Sequence, residues 1–288
     1  MTEEIRKRIS QIEETFSQEI ETVNIHDDGE DFLVLEVNDG WMFRFPRNSA
    51  ARKALQCERS FLPGFQRLSP IPIPNIRFSN KDFIGYRKIE GVQLTPRLFN
   101  TLPSVIRKRI ARQLGCFLTS IHRFPMEQAL EIGLTEGWNG WRKKAYQCFI
   151  EEAAPLLSIT ARANAIAFFE KFFALEWKQV VIHGDFYPQN HVFFDEKLQA
   201  VSGVIDFGDL TIEDAATDFQ SIFLDFGEYF LQDVIASYDF DMDARFIERI
   251  KIRIKAAPLF DAAYACEYGF KGRFMERLSE IELAFGMV

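Results

Sequence analysis

The chain has 288 residues, of which 47% are hydrophobic and 26% are charged, a composition typical of globular proteins that excludes global disorder. Its 34 Lys and Arg residues against 42 Asp and Glu residues give a formal net charge of −8. Binding to a nucleic-acid backbone favours the opposite charge balance, so we expect no nucleic-acid partner. An acidic chain is better suited to a cationic substrate.

The four cysteines include no CxxC pair, so the sequence predicts neither a cysteine zinc site nor a dense disulfide framework. The first residues, Met1–Arg6, lack the apolar segment of a secretory signal. No apolar run approaches the roughly 18 residues that cross a bilayer. We therefore expect a monomeric protein of the cytoplasm with no membrane partner.

The N-terminal part of the sequence predicts a small sheet with helices. Residues 5–20 carry one apolar stripe, which is typical of a helix. Two apolar segments, 32–37 and 41–45, flank the turn Asn38-Asp39-Gly40 and predict a β-hairpin. A further helix and a further strand are predicted over residues 50–68 and 83–89.

Beyond Gly91 the pattern becomes mainly helical, with one β-rich segment at 180–207. The predicted helices cover about 103–121, 140–153, 160–177, 214–236 and 243–285. The fold class predicted is α+β and bilobal. Its β-rich N-terminal lobe comprises residues 1–88, and its larger helical C-terminal lobe comprises residues 89–288.

A polar loop followed by a short hairpin is the most informative feature. The apolar segments 192–194 and 203–205 predict the hairpin, which brings Asn190, at the entry of one strand, beside Asp206, at the exit of the other. An amide oxygen and a carboxylate are suited to Mg²⁺, which takes its other ligands from substrate phosphates and water. Asp185, five residues before Asn190, can accept the proton of an attacking hydroxyl.

This loop has two other interpretations. Asp, Gly, Asn and Pro are common turn formers, so each residue taken singly has a purely structural explanation. His183 and Asp185 also match the first two members of a transition-metal triad. That triad needs a distal histidine, and no histidine follows His191. We therefore prefer the magnesium interpretation.

The whole pattern, His183-Gly184-Asp185, Asn190, the hairpin and Asp206-Phe207-Gly208, resembles the signature of kinase-like small-molecule phosphotransferases. This group includes aminoglycoside, choline and macrolide kinases. Residues 83–96 and 205–209 are most similar to aminoglycoside 2″-phosphotransferases, which are antibiotic resistance enzymes. The resemblance implies a protein-kinase-like fold, ATP or GTP as phosphate donor, Asp185 as catalytic base, and Asn190 and Asp206 as ligands of Mg²⁺.

The resemblance also implies a nucleotide site, with residues 84–89 as a hinge and Ile84, Tyr86 and Lys88 as binding residues. Arg44 stands where related kinases usually carry lysine, and Glu58 is its expected helix partner. Asp27-Asp28-Gly29-Glu30-Asp31 stands where a glycine-rich phosphate loop is expected, yet has four acids and one glycine. These departures motivate a second hypothesis, a nucleotide-binding pseudokinase.

Acidic residues of the C-terminal part are the candidate substrate contacts, although most acids on helices are simply solvated. The candidates are Asp209, Glu213, Asp225, Glu228 and Glu267. Asp218 is interpreted as a structural carboxylate. The function predicted is Mg²⁺-dependent transfer of the γ-phosphate of ATP or GTP to a hydroxyl of a small cationic molecule, an aminoglycoside. The alternative acceptors are a macrolide or another small alcohol.

Overall fold

The computed structural model describes residues 2–27, 29, 31–38, 40–137 and 139–286, and of Asn139 only the backbone. The helices are α1 Glu3–Glu13, α2 Ser49–Phe65, α3 Pro96–Thr101, α4 Ser104–His122, α5 Met126–Glu131, α6 Asn139–Cys148, α7 Ile159–Phe173, α8 Pro188–His191, α9 Gln220–Ile235, α10 Phe246–Glu267 and α11 Lys271–Phe285. The strands are β1 Val23–His26, β2 Phe32–Val37, β3 Trp41–Pro46, β4 Ile76–Ser79, β5 Ile84–Arg87, β6 Val92–Gln93, β7 Gln179–Ile182, β8 Val192–Asp195, β9 Ala200–Val204 and β10 Thr211–Asp214. An antiparallel N-terminal sheet followed by a mainly helical chain confirms the predicted fold class.

The N-terminal sheet has the strand order β1-β2-β3-β5-β4 and carries a helix on each face. Side chains of a strand alternate between the two faces of its sheet. In β2, Leu33 and Leu35 pack in the cluster that contains the α1 residue Ile12. Phe32 packs on the other face in the cluster that contains Leu55 of α2. Both faces are therefore buried, which explains the continuous apolar run of β2.

The same alternation positions a charged residue of β3. Phe43 and Phe45 belong to the cluster on the α1 face, whereas Met42 packs in the cluster on the α2 face. Arg44 lies between the two phenylalanines and so shares the α2 face with Met42. Glu58, one turn after Leu55 of α2, faces it. Strand and helix periodicity thus bring these two charged side chains together.

Strands β8 and β9 form the predicted hairpin, and β6 pairs with β8 on its other side. Val192 lies opposite Val204 in the register, and beyond this pair Ile205 N–H donates to the His191 carbonyl. Asp206 follows directly, where it takes a φ of 68°. The backbone hydrogen bonds therefore fix the position of Asp206 relative to the end of the loop 183–191.

The chain divides into two compact units. The first comprises residues 1–134, 181–210 and 221–240, and the second comprises residues 135–180, 211–220 and 241–288. The lobe boundary at residues 88 and 89 stays a prediction. The core of the second unit is formed by α7, α10 and α11 together with the π-helical turn Phe149–Ala153 that follows α6. No helix within the described ranges is both long and apolar enough to cross a bilayer.

A buried network of ion pairs lies in the second unit. Glu213 accepts from Arg142 at 2.8 Å and from Arg253 at 3.2 Å, and Asp214 accepts from Arg249 at 2.8 Å and from Arg253 at 3.1 Å. Every side chain in it is at most 5% exposed. Burial and the neighbouring Arg253 lower the pKa of Arg142 to about 10. Glu213 is committed to this network, and we do not retain it as a substrate contact.

Arg253→Met removes the guanidinium that both acids share. We expect a loss of about 3 kcal/mol in the free energy of unfolding, because each carboxylate loses a partner while it stays buried. Arg245→Met is the matched control, since Arg245 pairs with Glu248 at an exposed site, and should change stability by less than about 0.5 kcal/mol. Urea unfolding monitored by circular dichroism measures both. Equal stability of the two variants would contradict a structural role for the network.

Candidate active site

The candidate catalytic loop, residues 183–191, begins at the end of β7 with a buried histidine. His183 is fully buried, and its Nε2–H donates to the Ile205 carbonyl at 3.1 Å. The next residue, Gly184, has a φ of 89°, and a Cβ there would lie 2.1 Å from the Asp209 carbonyl oxygen. Only glycine fits this position. The histidine and the glycine together fix the path of the backbone into Asp185.

The predicted base and the predicted metal ligand lie on either side of one imidazole. His191 Nδ1 lies 2.7 Å from the Asp185 carbonyl oxygen and 3.9 Å from Asp185 Oδ2. His191 Nε2 lies 3.7 Å from Asp206 Oδ2. The imidazole is 12% exposed, whereas the Asp185 and Asp206 carboxylates are 41% and 39% exposed. Both acids are therefore accessible to a ligand and held in a defined relation.

Arg44 connects the N-terminal sheet to this site. Its Nη1 donates to both carboxylate oxygens of Glu58, at 2.8 and 3.0 Å, and its Nη2 donates to Asp206 Oδ1 at 2.8 Å. The guanidinium lies 4.3 Å from the centre of the Phe32 ring. Burial raises the pKa of Glu58, and the nearby Arg44 opposes this shift. Arg44 pairs with the partner that the resemblance implied and reaches Asp206 as well.

Arg44→Met removes the charged partner of the fully buried Glu58, which keeps only the backbone hydrogen bond from Phe207. We expect the free energy of unfolding to fall by about 3–5 kcal/mol, the usual cost of breaking a buried pair. Arg44→Lys keeps the charge but cannot donate to both acids in the same way, so its loss should be smaller. Chemical denaturation of the three proteins measures the differences. A methionine variant as stable as the arginine protein would show that the ion pair is not a structural element.

The three candidate hinge residues occupy different environments. Ile84 and Tyr86 are buried in the cluster on the α2 face of the sheet, and burial raises the pKa of Tyr86 to about 12. Their strand β5 lies between β3 and β4, so its backbone N–H and C=O groups form hydrogen bonds within the sheet. Lys88, beyond the strand, is exposed, and its Nζ donates to Glu36 at 2.9 Å. Of the three, Lys88 is the residue placed at a surface.

The described acids of the segment 27–31 have polar partners on neighbouring residues. Asp27 pairs with Arg47, and Asp31 accepts from Asn48 Nδ2 at 3.0 Å. Asp28 and Glu30 lie outside the described residues. The described acids of this segment are therefore held by basic or amide partners.

Three of the candidate substrate acids belong to the unit that holds the catalytic loop. Asp209 is exposed near Asp185, and Asp225 accepts from the backbone N–H of Gln189 at 3.4 Å. Glu228 is exposed just past Gly227, whose φ of 82° interrupts α9. The remaining candidate, Glu267, is exposed at the end of α10 in the second unit.

Asp209 is a candidate substrate acid whose pKa is raised strongly. Partial removal from water raises its pKa to about 7, and the negative charges of Asp185 and Asp206 add to the effect. Since the unfolded carboxyl ionises near its ordinary value, the folded protein binds the extra proton between about pH 4 and pH 7. Stability therefore falls as pH rises through that window and does not fall further above it.

Asp209→Asn should remove the loss of stability that accompanies the ionisation of Asp209. We expect the variant and the wild-type protein to have equal melting temperatures near pH 4 and the variant to be more stable above pH 7. The gain should not exceed about 1 kcal/mol, because the exposed carboxylate is screened by solvent. Thermal melts in a chelator across this pH range provide the measurement. A difference that is independent of pH would contradict the charge crowding.

The donor set fits a magnesium ion bound together with a nucleotide. Arg44 occupies Oδ1 of Asp206, which leaves Oδ2 for an ion, and Asn190 is exposed at the loop end. Within the described part of the chain, no cluster of three or more His, Cys, Asp or Glu residues could hold a metal. Mg²⁺ accepts such a sparse set, since it takes most of its oxygens from phosphates and water.

His191 is the residue that sequence reasoning missed. The sequence indicated only that it is the last histidine of the chain. The sequence does contain a signal for the position of His191. It follows Asn190 at the entry of the predicted hairpin and therefore lies opposite Ile205, the residue before Asp206.

Comparisons with known proteins identify the family and the fold. Residues 22–245 match the phosphotransferase enzyme family. An aminoglycoside 2″-phosphotransferase, APH(2″)-IIIa in complex with GDP and kanamycin, superposes with a TM-score of 0.86 at 23% identity over 96% of this chain and 98% of that chain. A macrolide 2′-phosphotransferase of type I has a TM-score of 0.74 at 19% identity over 98% of each chain. The macrolide 2′-phosphotransferase MphH from Brachybacterium faecium has a TM-score of 0.74 at 18% identity, covering 97% and 98%.

The family match and the kinase-like fold together identify a phosphotransferase. The match over residues 22–245 shows that the chain belongs to the phosphotransferase enzyme family.

Proposed function

We propose that this protein transfers the γ-phosphoryl group of ATP or GTP to a hydroxyl of an aminoglycoside. The observation that carries the proposal is the arrangement of Asp185 and Asp206 on the two sides of His191, with Arg44 bound to Asp206. Because the proposed base and the proposed metal ligand lie on different sides of the ring, the base can act on the acceptor hydroxyl while the metal ligand acts on the phosphate donor.

Asp185 is proposed to orient the acceptor hydroxyl and to take its proton as the oxygen attacks. Asp206 and Asn190 are proposed to hold Mg²⁺, which when bound neutralises charge on the transferred phosphoryl group. Arg44 holds Asp206 by one oxygen and leaves the second oxygen toward the ion. Catalysis of this kind depends on positioning and on charge neutralisation rather than on covalent steps.

The acceptor class is supported by charge. Asp209, Asp225 and Glu228 lie on the unit that holds the catalytic loop, and Asp225 contacts that loop directly. Carboxylates at such a site attract the amines of an aminoglycoside, and the attraction weakens as salt screens it. The solved relatives that carry kanamycin and gentamicin in their complexes support the same class.

A macrolide is the second candidate acceptor. It is favoured by the structural similarity to macrolide 2′-phosphotransferases. The resemblance to macrolide kinases, some of which carry arginine at the position of Arg44, favours it as well. A macrolide is bulky and largely apolar and carries one amine, so its KM should respond only weakly to salt.

A coupled nucleotide-consumption assay distinguishes the candidates. It uses ATP and GTP in turn, with kanamycin, gentamicin, a macrolide and an amino alcohol as acceptors, across a salt titration. We expect turnover with the aminoglycosides and a KM that increases with salt. Turnover with the macrolide alone would move the acceptor to the second candidate, and nucleotide binding without turnover for any acceptor would support the pseudokinase.

A further inference from the structure

Two of the four cysteines meet where α6 packs on α10. Cys148 is the last residue of α6, and its Sγ lies 3.9 Å from the Ala263 carbonyl oxygen of α10. Cys266 lies three positions after Ala263, on the same face of that helix. The Cys148 and Cys266 thiols are hydrogen-bonded to each other. Helix packing thus brings together two thiols that are far apart in the sequence.

The surroundings of the two cysteines hold them together and leave them accessible. Phe149, which follows Cys148, and Ala262, one turn before Cys266, are fully buried in the same core cluster of the second unit. Both cysteines are free and only partly buried. A small molecule from solvent can therefore reach a thiol pair whose backbone is fixed by its neighbours.

Two adjacent thiols can react in a way that a single thiol cannot. One of them, as the thiolate, attacks a small disulfide such as oxidised glutathione, which forms a mixed disulfide and releases one glutathione thiolate. The second protein thiolate then attacks the protein sulfur of the mixed disulfide and releases the second glutathione. The two cysteines lose two electrons and two protons in total, and the glutathione disulfide takes them up as two thiols.

The setting of Cys148 determines when this reaction is fast. Burial and the neighbouring Cys266 thiol raise the pKa of Cys148 to about 12, and the charges of Glu152 and Glu267 act in the same direction. The thiolate is the attacking species, so closure of the pair should be slow at neutral pH and faster at alkaline pH. The reaction is therefore best tested at mildly alkaline pH.

We propose that Cys148 and Cys266 form a modification site, a thiol pair that a small-molecule disulfide converts into a disulfide bond between α6 and α10. The bond closes a loop that contains residues 149–265. Its formation does not depend on the proposed function, because neither cysteine belongs to the candidate active site.

Peptide mapping by mass spectrometry tests the pair. The native full-length protein is incubated with oxidised glutathione at mildly alkaline pH, the remaining thiols are alkylated, and the monomer is digested without reduction. We expect one peptide pair joined through Cys148 and Cys266, whereas the exposed Cys116 should carry glutathione. Alkylated Cys148 and Cys266, or stable glutathione on both, would overturn the proposal.

Single variants test the pairing. Cys148→Ala removes the thiol that completes the bond, so Cys266 should retain its glutathione. Cys116→Ala, at an exposed cysteine of α4, is the matched control and should form the cross-link as the wild-type protein does. A disulfide between Cys266 and another cysteine of the Cys148→Ala chain would overturn the specific pairing. The wild-type peptide map decides the main point even if Cys148→Ala does not fold.

The melting temperature shows whether the bond fits the native helices. A disulfide that fits restricts the unfolded chain without straining the folded one. In Cys116→Ala, which avoids glutathione at the exposed site, we expect oxidation to raise the melting temperature by about 5 °C and dithiothreitol to reverse the rise. A cross-linked protein with an unchanged or lower melting temperature would show that the bond distorts the helices, and would overturn a pair preformed in the native fold.

Discussion

Asp185→Asn should lower turnover by at least about 100-fold, the scale of a general-base contribution, while the affinity for nucleotide stays nearly unchanged. Asparagine keeps the size of the side chain and its capacity to accept a hydrogen bond but cannot take up a proton. The Asp185 carbonyl that binds His191 belongs to the backbone, so the substitution leaves this contact in place. Steady-state turnover and equilibrium nucleotide titration separate the two effects.

Asp233→Asn is the matched control for this experiment. Asp233 is exposed on α9 in the same unit, so the identical substitution there should leave turnover unchanged. Near-normal turnover of Asp185→Asn would remove this residue from the role of base. A parallel loss of nucleotide affinity would instead indicate that the loop had been displaced.

Asp206→Asn should abolish the part of nucleotide affinity that depends on Mg²⁺ and reduce turnover by about 1000-fold or more, because a neutral amide pair cannot hold the ion against its hydration shell. Asparagine is a better choice here than alanine. Asp206 has a φ of 68°, a left-handed conformation that asparagine tolerates. Its amide oxygen can also accept the hydrogen bond from Arg44.

Nucleotide binding by calorimetry, with Mg²⁺ and with a chelator, measures this effect. Asp195→Asn, in the β8–β9 hairpin but at its turn, is the matched control and should retain Mg²⁺ dependence. The same Mg²⁺ dependence in Asp206→Asn and in the wild-type protein would mean that the metal is held elsewhere.

Much of the candidate site could be predicted from the sequence because it is local. In a short hairpin, the residue that precedes the first strand lies beside the residue that follows the second strand. The spacing of Asn190 and Asp206 therefore predicted that the two residues lie at the same end of the hairpin. The resemblance to kinases implied the pairing of Arg44 with Glu58, and strand and helix periodicity explains why the two side chains meet. The side-chain contact of Arg44 with Asp206 joins residues 162 positions apart and follows from no local pattern.

Two further differences separate the structure from the sequence-based predictions. Glu213 was predicted as a substrate contact, and its burial in ion pairs could not be foreseen because its partners Arg142 and Arg253 lie 71 and 40 positions away. The predicted helix over 243–285 is divided into α10 and α11 because Gly269, with a φ of 75°, turns the chain between them. Apolar periodicity continues through such a turn and does not reveal it.

Mass spectrometry of the acceptor tests the central claim most directly. Kanamycin is incubated with the protein, Mg²⁺ and either ATP or GTP, and the product is compared with that of Asp185→Asn. We expect the wild-type protein to add one phosphoryl group to kanamycin as a hydroxyl ester with equimolar release of nucleoside diphosphate, and the variant to give almost none. Unmodified kanamycin together with unconsumed ATP and GTP would contradict transfer to an aminoglycoside.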